Sequence, residues 1–172
     1  MKDTLISRRE FLKDIGMIGA GVLLSASPWL SAFSEVVETS GEKCRLAIIG
    51  PGSRGRFLMS FLVQNPKVEI VALCDIYQPS IEKALELAPK AKVYDDYREI
   101  LEDKTVDAVL VATPLNSHCQ IVLDAFDAGK HVFCEKSIGF TMEECFRIYN
   151  KHISTEKVFF TGQQRLFDPR YI

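Results

Sequence analysis

The sequence has no C-x-x-C pair and no excess of positive charge. Its five cysteines, Cys44, Cys74, Cys119, Cys134 and Cys145, are scattered singly, so they form neither a metal-ligand set nor a disulfide framework, and no metal is expected. Three of them fall in apolar runs that read as buried strands, where a thiol acts as small apolar filler. Lys and Arg number 21 against 23 Asp and Glu, a formal net charge of −2, which leaves no basic face for nucleic acid. Internal repeats at solenoid spacing and low-complexity tracts are also absent. What remains is a chain of 172 residues, 47% hydrophobic, long enough and apolar enough for one ordinary folded domain.

The N-terminus differs in kind from the rest. Ser7-Arg8-Arg9-Glu10-Phe11-Leu12-Lys13 precedes the apolar stretch from Ile15 to Leu24, which runs on to Trp29-Leu30. Paired arginines before an uncharged, glycine-containing run have the layout of a twin-arginine export signal. Residues 1–34 are therefore expected to be that signal, with cleavage after Ser34, where Ala32 and Ser34 are the small residues. The expected address is periplasmic, with the export machinery as a partner. That route carries folded proteins, so an enzyme can cross with a cytoplasmic cofactor already bound and with its cysteines still reduced. Residues 35–43 are polar, lack periodicity and read as a linker.

From Cys44 onward the chain carries nucleotide-binding signals. Gly50-Pro51-Gly52-Ser53-Arg54-Gly55 directly follows the apolar run Leu46-Ala47-Ile48-Ile49 and precedes Phe57 to Val63. A glycine-rich turn between a buried strand and a helix is where a dinucleotide pyrophosphate sits. Gly50 permits the tight turn, Gly52 admits phosphate close to the backbone, and Gly55 lets helix and strand pack. Ser53 and Arg54 complete the loop, and the free amides of the helix N-terminus face the anion. A second apolar run ends in Asp75, about twenty residues on, where an acid grips the adenosine ribose hydroxyls. With no Arg or Lys at Ile76 or Tyr77, the carboxylate disfavours a 2′-phosphate, so NAD is expected over NADP.

The remaining pattern alternates strand and helix. Strands are expected at 44–49, 69–74, 93–94, 108–112, 131–134 and 158–161, and helices at 56–64, 79–88, 97–102, 117–128 and 142–152. Asn116 reads as an N-cap, Gly129 as a C-terminal stop, and Thr141 with Glu144 as a capping box. Ala108-Val109-Leu110-Val111-Ala112 is apolar throughout and must be covered on both faces. The expected fold is α/β, a doubly wound parallel sheet of Rossmann type spanning residues 44–165.

Gly50 to Gly55, Ala112-Thr113-Pro114 with Asn116 and His118, Gly129-Lys130-His131-Val132 and Glu135-Lys136 occur in the order found in the Gfo/Idh/MocA oxidoreductases. The resemblance covers roughly Cys44 to Ile172. It implies that Thr113, Pro114 and Asn116 border the nicotinamide half of NAD, that His118 sits beside that site or packs as an ordinary imidazole, and that Lys136 is the catalytic residue near the substrate hydroxyl. Glu135 belongs to the cofactor site, orienting Lys136 by a charge-assisted hydrogen bond or facing solvent. Ser137 departs from the family's usual Pro, which leaves the Lys136 loop freer. Arg165 resembles the family's Gly-x-Gln-Arg stretch and lines the substrate cleft or makes a salt bridge at the domain joint.

In the family a second α/β domain supplies the rest of the pocket, and residues 166–172 read as its start, the remainder being absent from this chain. The resemblance implies an NAD-dependent oxidoreductase transferring hydride from a sugar, polyol or cyclitol CH–OH group, with a homo-oligomer expected at full length. Two other readings stay open: an NAD-using glycoside hydrolase working by transient oxidation and elimination, and a nucleotide-binding protein without turnover.

Overall fold

A computed structural model describes residues 43–163. The expected export signal, the linker up to residue 42, Arg165 and residues 166–172 lie outside the described residues. Six strands form one sheet: β1 (Cys44–Ile49), β2 (Val68–Cys74), β3 (Lys92–Tyr94), β4 (Ala108–Val111), β5 (His131–Cys134) and β6 (Phe159–Thr161). Every pairing is parallel and the order is β3-β2-β1-β4-β5-β6. The doubly wound sheet expected from the alternating pattern is thus present, with the order reversing between β1 and β4. At that reversal the connections depart to opposite faces and open a crevice beyond the strand ends.

The crossover helices are α1 (Ser53–Leu62), α2 (Gln78–Leu85), α3 (Tyr97–Glu102), α4 (Leu115–Asp127) and α5 (Met142–Ile153). Strand periodicity sorts the core into two layers. Leu46, Ile48, Leu110 and Phe133 point to one face with Leu58, Met59 and Leu62 of α1 and Ile81 and Ala84 of α2. Ala47, Ile49, Val109, Val111 and Val132 point to the other with Ile100 of α3, Ile121, Val122, Ala125 and Phe126 of α4, and Ile148 of α5. All four residues of β4 are buried, as an apolar run at the centre of a parallel sheet requires. Truncating Leu110 to Ala there would cost about 2–5 kcal/mol through lost burial and the cavity left behind.

Several ends differ from the sequence expectation. Helix α1 begins at Ser53, because Gly52 is its N-cap in extended conformation and the Arg56 N–H already reaches the Gly52 carbonyl at 2.9 Å. Asn116 is not an N-cap: α4 starts at Leu115 behind Pro114, whose φ of −58° suits a helix start and whose carbonyl accepts the Ser117 N–H at 3.0 Å. Helix α2 stops at Leu85 and continues as a turn through Ala88. The other signals hold. Gly129 ends α4 at φ +70°, and Thr141 and Glu144 form both halves of the capping box at the start of α5.

The cysteines serve as filler. Cys44, Cys74, Cys119 and Cys134 are buried and all five are free. Burial pushes the Cys44 and Cys74 thiols up to about 11 and that of Cys134 up to about 12. Among the described residues no group of His, Cys, Asp and Glu could hold a metal ion, and no helix is long and apolar enough to cross a membrane.

Candidate nucleotide site

The carboxyl ends of β1, β2, β3 and β4 open onto one groove of about 980 Å³. The loop after β1 supplies one wall. Gly50 takes φ +85°, and a Cβ there would lie 2.7 Å from the Thr113 backbone nitrogen, so only glycine lets β1 and β4 turn away side by side. At Gly52 a Cβ would meet nothing within 4 Å. That open space, at the start of a helix with no side-chain cap and no acid in its first turn, leaves the α1 amides facing the groove as a receptacle for an anion. Gly55 packs its backbone against Gly50, whose carbonyl oxygen would lie 2.5 Å from an added Cβ.

The opposite wall comes from the ends of β2 and β3. Asp75 lines the groove, and its Oδ1 accepts the Tyr77 N–H at 3.0 Å, which fixes the turn that places the carboxylate at the strand end. Asp95, Asp96, Tyr97 and Arg98 also line it, and none of these four was singled out from the sequence. Their signal was available: they follow β3 at the same sheet edge, but a three-residue strand announces that edge faintly. Asp96 also caps α3, accepting the Arg98 N–H at 2.9 Å, and its carboxyl is held below the ordinary carboxylate value chiefly by that backbone bond. Tyr97 donates to Asp124 at 2.6 Å, and burial with that bond pushes its hydroxyl up to about 12.

At the end of β4, Thr113, Pro114 and Asn116 line the groove together with Gly50, Gly52, Ser53 and Arg54. Eight of the sequence-derived cofactor positions therefore converge on one site, with Gly55 supporting the turn from beneath. His118 and Glu135 do not line it. His118 is 2% exposed, with Nδ1 2.8 Å from the Ser137 carbonyl and Nε2 2.8 Å from the Thr113 carbonyl.

Glu135 neither bonds the Lys136 ammonium nor faces solvent. It is buried, its Oε1 accepting from Arg54 Nε and Nη2, both at 2.8 Å, and its Oε2 accepting the Lys136 backbone N–H at 3.2 Å. Gly162 makes room for it, since a Cβ at that position would fall 2.8 Å from Oε1. The arginine at the start of α1 thus outcompetes Lys136 for the carboxylate, because a planar fork reaches a buried acceptor that a lysine on an outward turn does not. Lys136 itself is exposed at the turn after β5, and the Lys136–Ser137 peptide is cis.

Comparisons with known proteins agree with this geometry. Residues 44–163 match the Gfo/Idh/MocA oxidoreductase family in its NAD-binding Rossmann fold. A glycosyl hydrolase family 109 protein of Stenotrophomonas maltophilia is 34% identical over 162 residues, 87% of this chain and 34% of the relative. An α-N-acetylgalactosaminidase of Shewanella oneidensis is 31% identical over 88% of this chain and 38% of its own length. The chain therefore spans little more than a third of these curated relatives. Among solved structures, myo-inositol dehydrogenase of Lactobacillus casei in complex with NAD(H) and myo-inositol superposes with a TM-score of 0.70 at 33% identity, covering 74% of this chain and 38% of that one. With the sheet, the glycine turn and the family match in agreement, the chain belongs to the Gfo/Idh/MocA oxidoreductase family through its NAD-binding Rossmann portion.

Proposed function

We propose that this chain binds NAD and forms the nucleotide-binding part of an enzyme that oxidises a CH–OH group of a sugar, polyol or cyclitol. The observation that carries the reading is the convergence of an uncapped helix N-terminus, an open Gly52 and Asp75 on one groove at the topological reversal. The α1 amides hold the pyrophosphate, Asp75 accepts from the adenosine ribose hydroxyls, and Thr113, Pro114 and Asn116 border the nicotinamide half. Asp75, with no cation beside it at Ile76 or Tyr77, favours NAD over NADP. NAD, when bound, accepts a hydride at nicotinamide C4. Lys136, with its amine neutral, would take the proton of the substrate hydroxyl as the carbinol carbon becomes a carbonyl.

The curated relatives support a second reading that shares this oxidation. Both are named as glycoside hydrolases, and a sugar carbonyl acidifies the neighbouring C–H so that the glycosidic group can leave by elimination. Water then adds and the hydride returns, with no net redox change. The two readings separate in one experiment on the form of the protein that turns over. Net NAD reduction with myo-inositol or free sugars supports the dehydrogenase, whereas release of the aryl group from an aryl α-N-acetylgalactosaminide without net reduction supports the hydrolase. Lys136→Met tests the catalytic assignment under either: turnover is expected to fall about 100-fold or more with NAD binding retained. Turnover within a few-fold of the parent would remove Lys136 from the mechanism.

We also propose that the protein is exported by the twin-arginine route to the periplasm, on the strength of Ser7 to Lys13 and the apolar run that follows. Replacing Arg8 and Arg9 together by Lys is expected to leave the precursor in the cytoplasm, and continued export would reject the assignment.

A further inference from the structure

The loop that carries Lys136 lacks the family's usual proline, yet its backbone is held at both ends. The Lys136 N–H is fixed by Glu135, and the Ser137 carbonyl lies 2.8 Å from Nδ1 of a histidine that is 2% exposed. The other nitrogen of that histidine meets the Thr113 carbonyl at the same distance. Thr113 lines the groove, so the imidazole of His118 bridges the groove's floor at β4 and the turn after β5.

We propose that His118 is a positioning residue: it donates from Nδ1 to the Ser137 carbonyl and so fixes the Lys136 turn relative to the nicotinamide side of the groove, without touching cofactor or substrate. This assignment rests on the reading of Lys136 above. Both ring nitrogens face carbonyl oxygens, which only accept, so the bond to Ser137 demands a hydrogen on Nδ1 and the bond to Thr113 a second one on Nε2. An imidazole at this place constrains the turn from a neighbouring helix, through a bond that substitution can remove selectively.

Two amide variants on the whole 172-residue chain divide the ring's contacts. The amide nitrogen of His118→Asn stands where Nδ1 stands and keeps the bond to Ser137, whereas that of His118→Gln reaches the place of Nε2 and keeps only the bond to Thr113. Backbone ¹⁵N relaxation is expected to show Lys136 and Ser137 rigid in the parent and in His118→Asn, with order parameters near ~0.85, and below ~0.6 in His118→Gln. Affinity for NAD by calorimetry is expected to stay within about twofold in both. A merely structural histidine would lose stability in either variant and leave the turn's order the same in the two, and that result would overturn the proposal.

If His118→Gln fails to fold, the parent decides alone. A slowly exchanging imidazole hydrogen on Nδ1, in contact with Ser137, is required, and a ring carrying its hydrogen only on Nε2 would refute the bridge. An Nδ1 hydrogen combined with full turnover of Lys136→Met would leave the bridge standing and remove the catalytic role of the lysine instead.

Discussion

Two neighbouring glycines, Gly50 and Gly52, separate folding from binding residue by residue. Gly50→Ala forces a side chain into φ +85° and within 3 Å of the Ala112–Thr113 backbone that follows β4, so it is expected to cost about 2 kcal/mol or more in chemical denaturation. Gly52→Ala meets open space and is expected to cost less than about 1 kcal/mol, while NAD affinity falls at least about tenfold because the methyl occupies the anion's approach. Equal losses of stability in the two variants would refute this division. Asp75→Ala belongs to the same scale: removal of a charged acceptor for ribose hydroxyls is expected to weaken NAD by about 1.5–3 kcal/mol and to narrow the preference against NADP. Unchanged affinity by calorimetry would take Asp75 out of the site.

Among the elements, α5 shows how far local signals reach. Thr141→Ala removes the side chain that accepts the Glu144 N–H at 3.1 Å and breaks that half of the box, leaving the Thr141 N–H on the Glu144 carboxylate, so a loss of about 1 kcal/mol in thermal or denaturant unfolding is expected. This helix start was legible because the signal is local: Thr and Glu three residues apart before an amphipathic run. The strand pattern and the glycine turn were legible for the same reason. Asn116 misled because Pro114, two residues earlier, already begins the helix. The Arg54–Glu135 pair was not legible at all, since it joins the start of α1 to the end of β5, and no spacing in the chain records which carboxylate a half-buried guanidinium will find. The β3 edge of the groove was hidden by the shortness of its strand.

For the molecule as a whole, two histidines tie stability to pH. Burial lowers His131 and His152 from the ordinary value of 6.5. His131 Nδ1 accepts the Val158 N–H at 3.0 Å, a bond that requires the neutral ring, and His152 packs between Phe126 and Phe159. As pH falls through 6.5 the unfolded chain takes up these protons before the folded one. Their contribution is therefore complete above that value and lost progressively below it. The unfolding midpoint is expected to fall between pH 7 and pH 5, and less so in His131→Asn/His152→Phe; an equal fall in that variant would assign the dependence elsewhere. The same helix that carries His152 turns Met142, Phe146, Tyr149 and Ile153 outward, each 59–70% exposed. That stripe is expected to drive concentration-dependent self-association of this chain, visible in sedimentation and relieved by Phe146→Glu.

The buried carboxylate of Glu135 also constrains the order in which this site can change over generations. Arg54 is 34% exposed at its side chain and Glu135 only 7%, so loss of the arginine strands a charge in the interior, whereas loss of the carboxylate returns an arginine to water. Any side chain at Gly162 collides with that carboxylate. Substitution at 162 is therefore tolerated only after Glu135 has gone, and loss of Arg54 is mild only after the same event. Glu135 is the gate through which drift at both distant positions must pass, and a lineage that keeps it keeps a glycine at the end of β6 and an arginine at the start of α1.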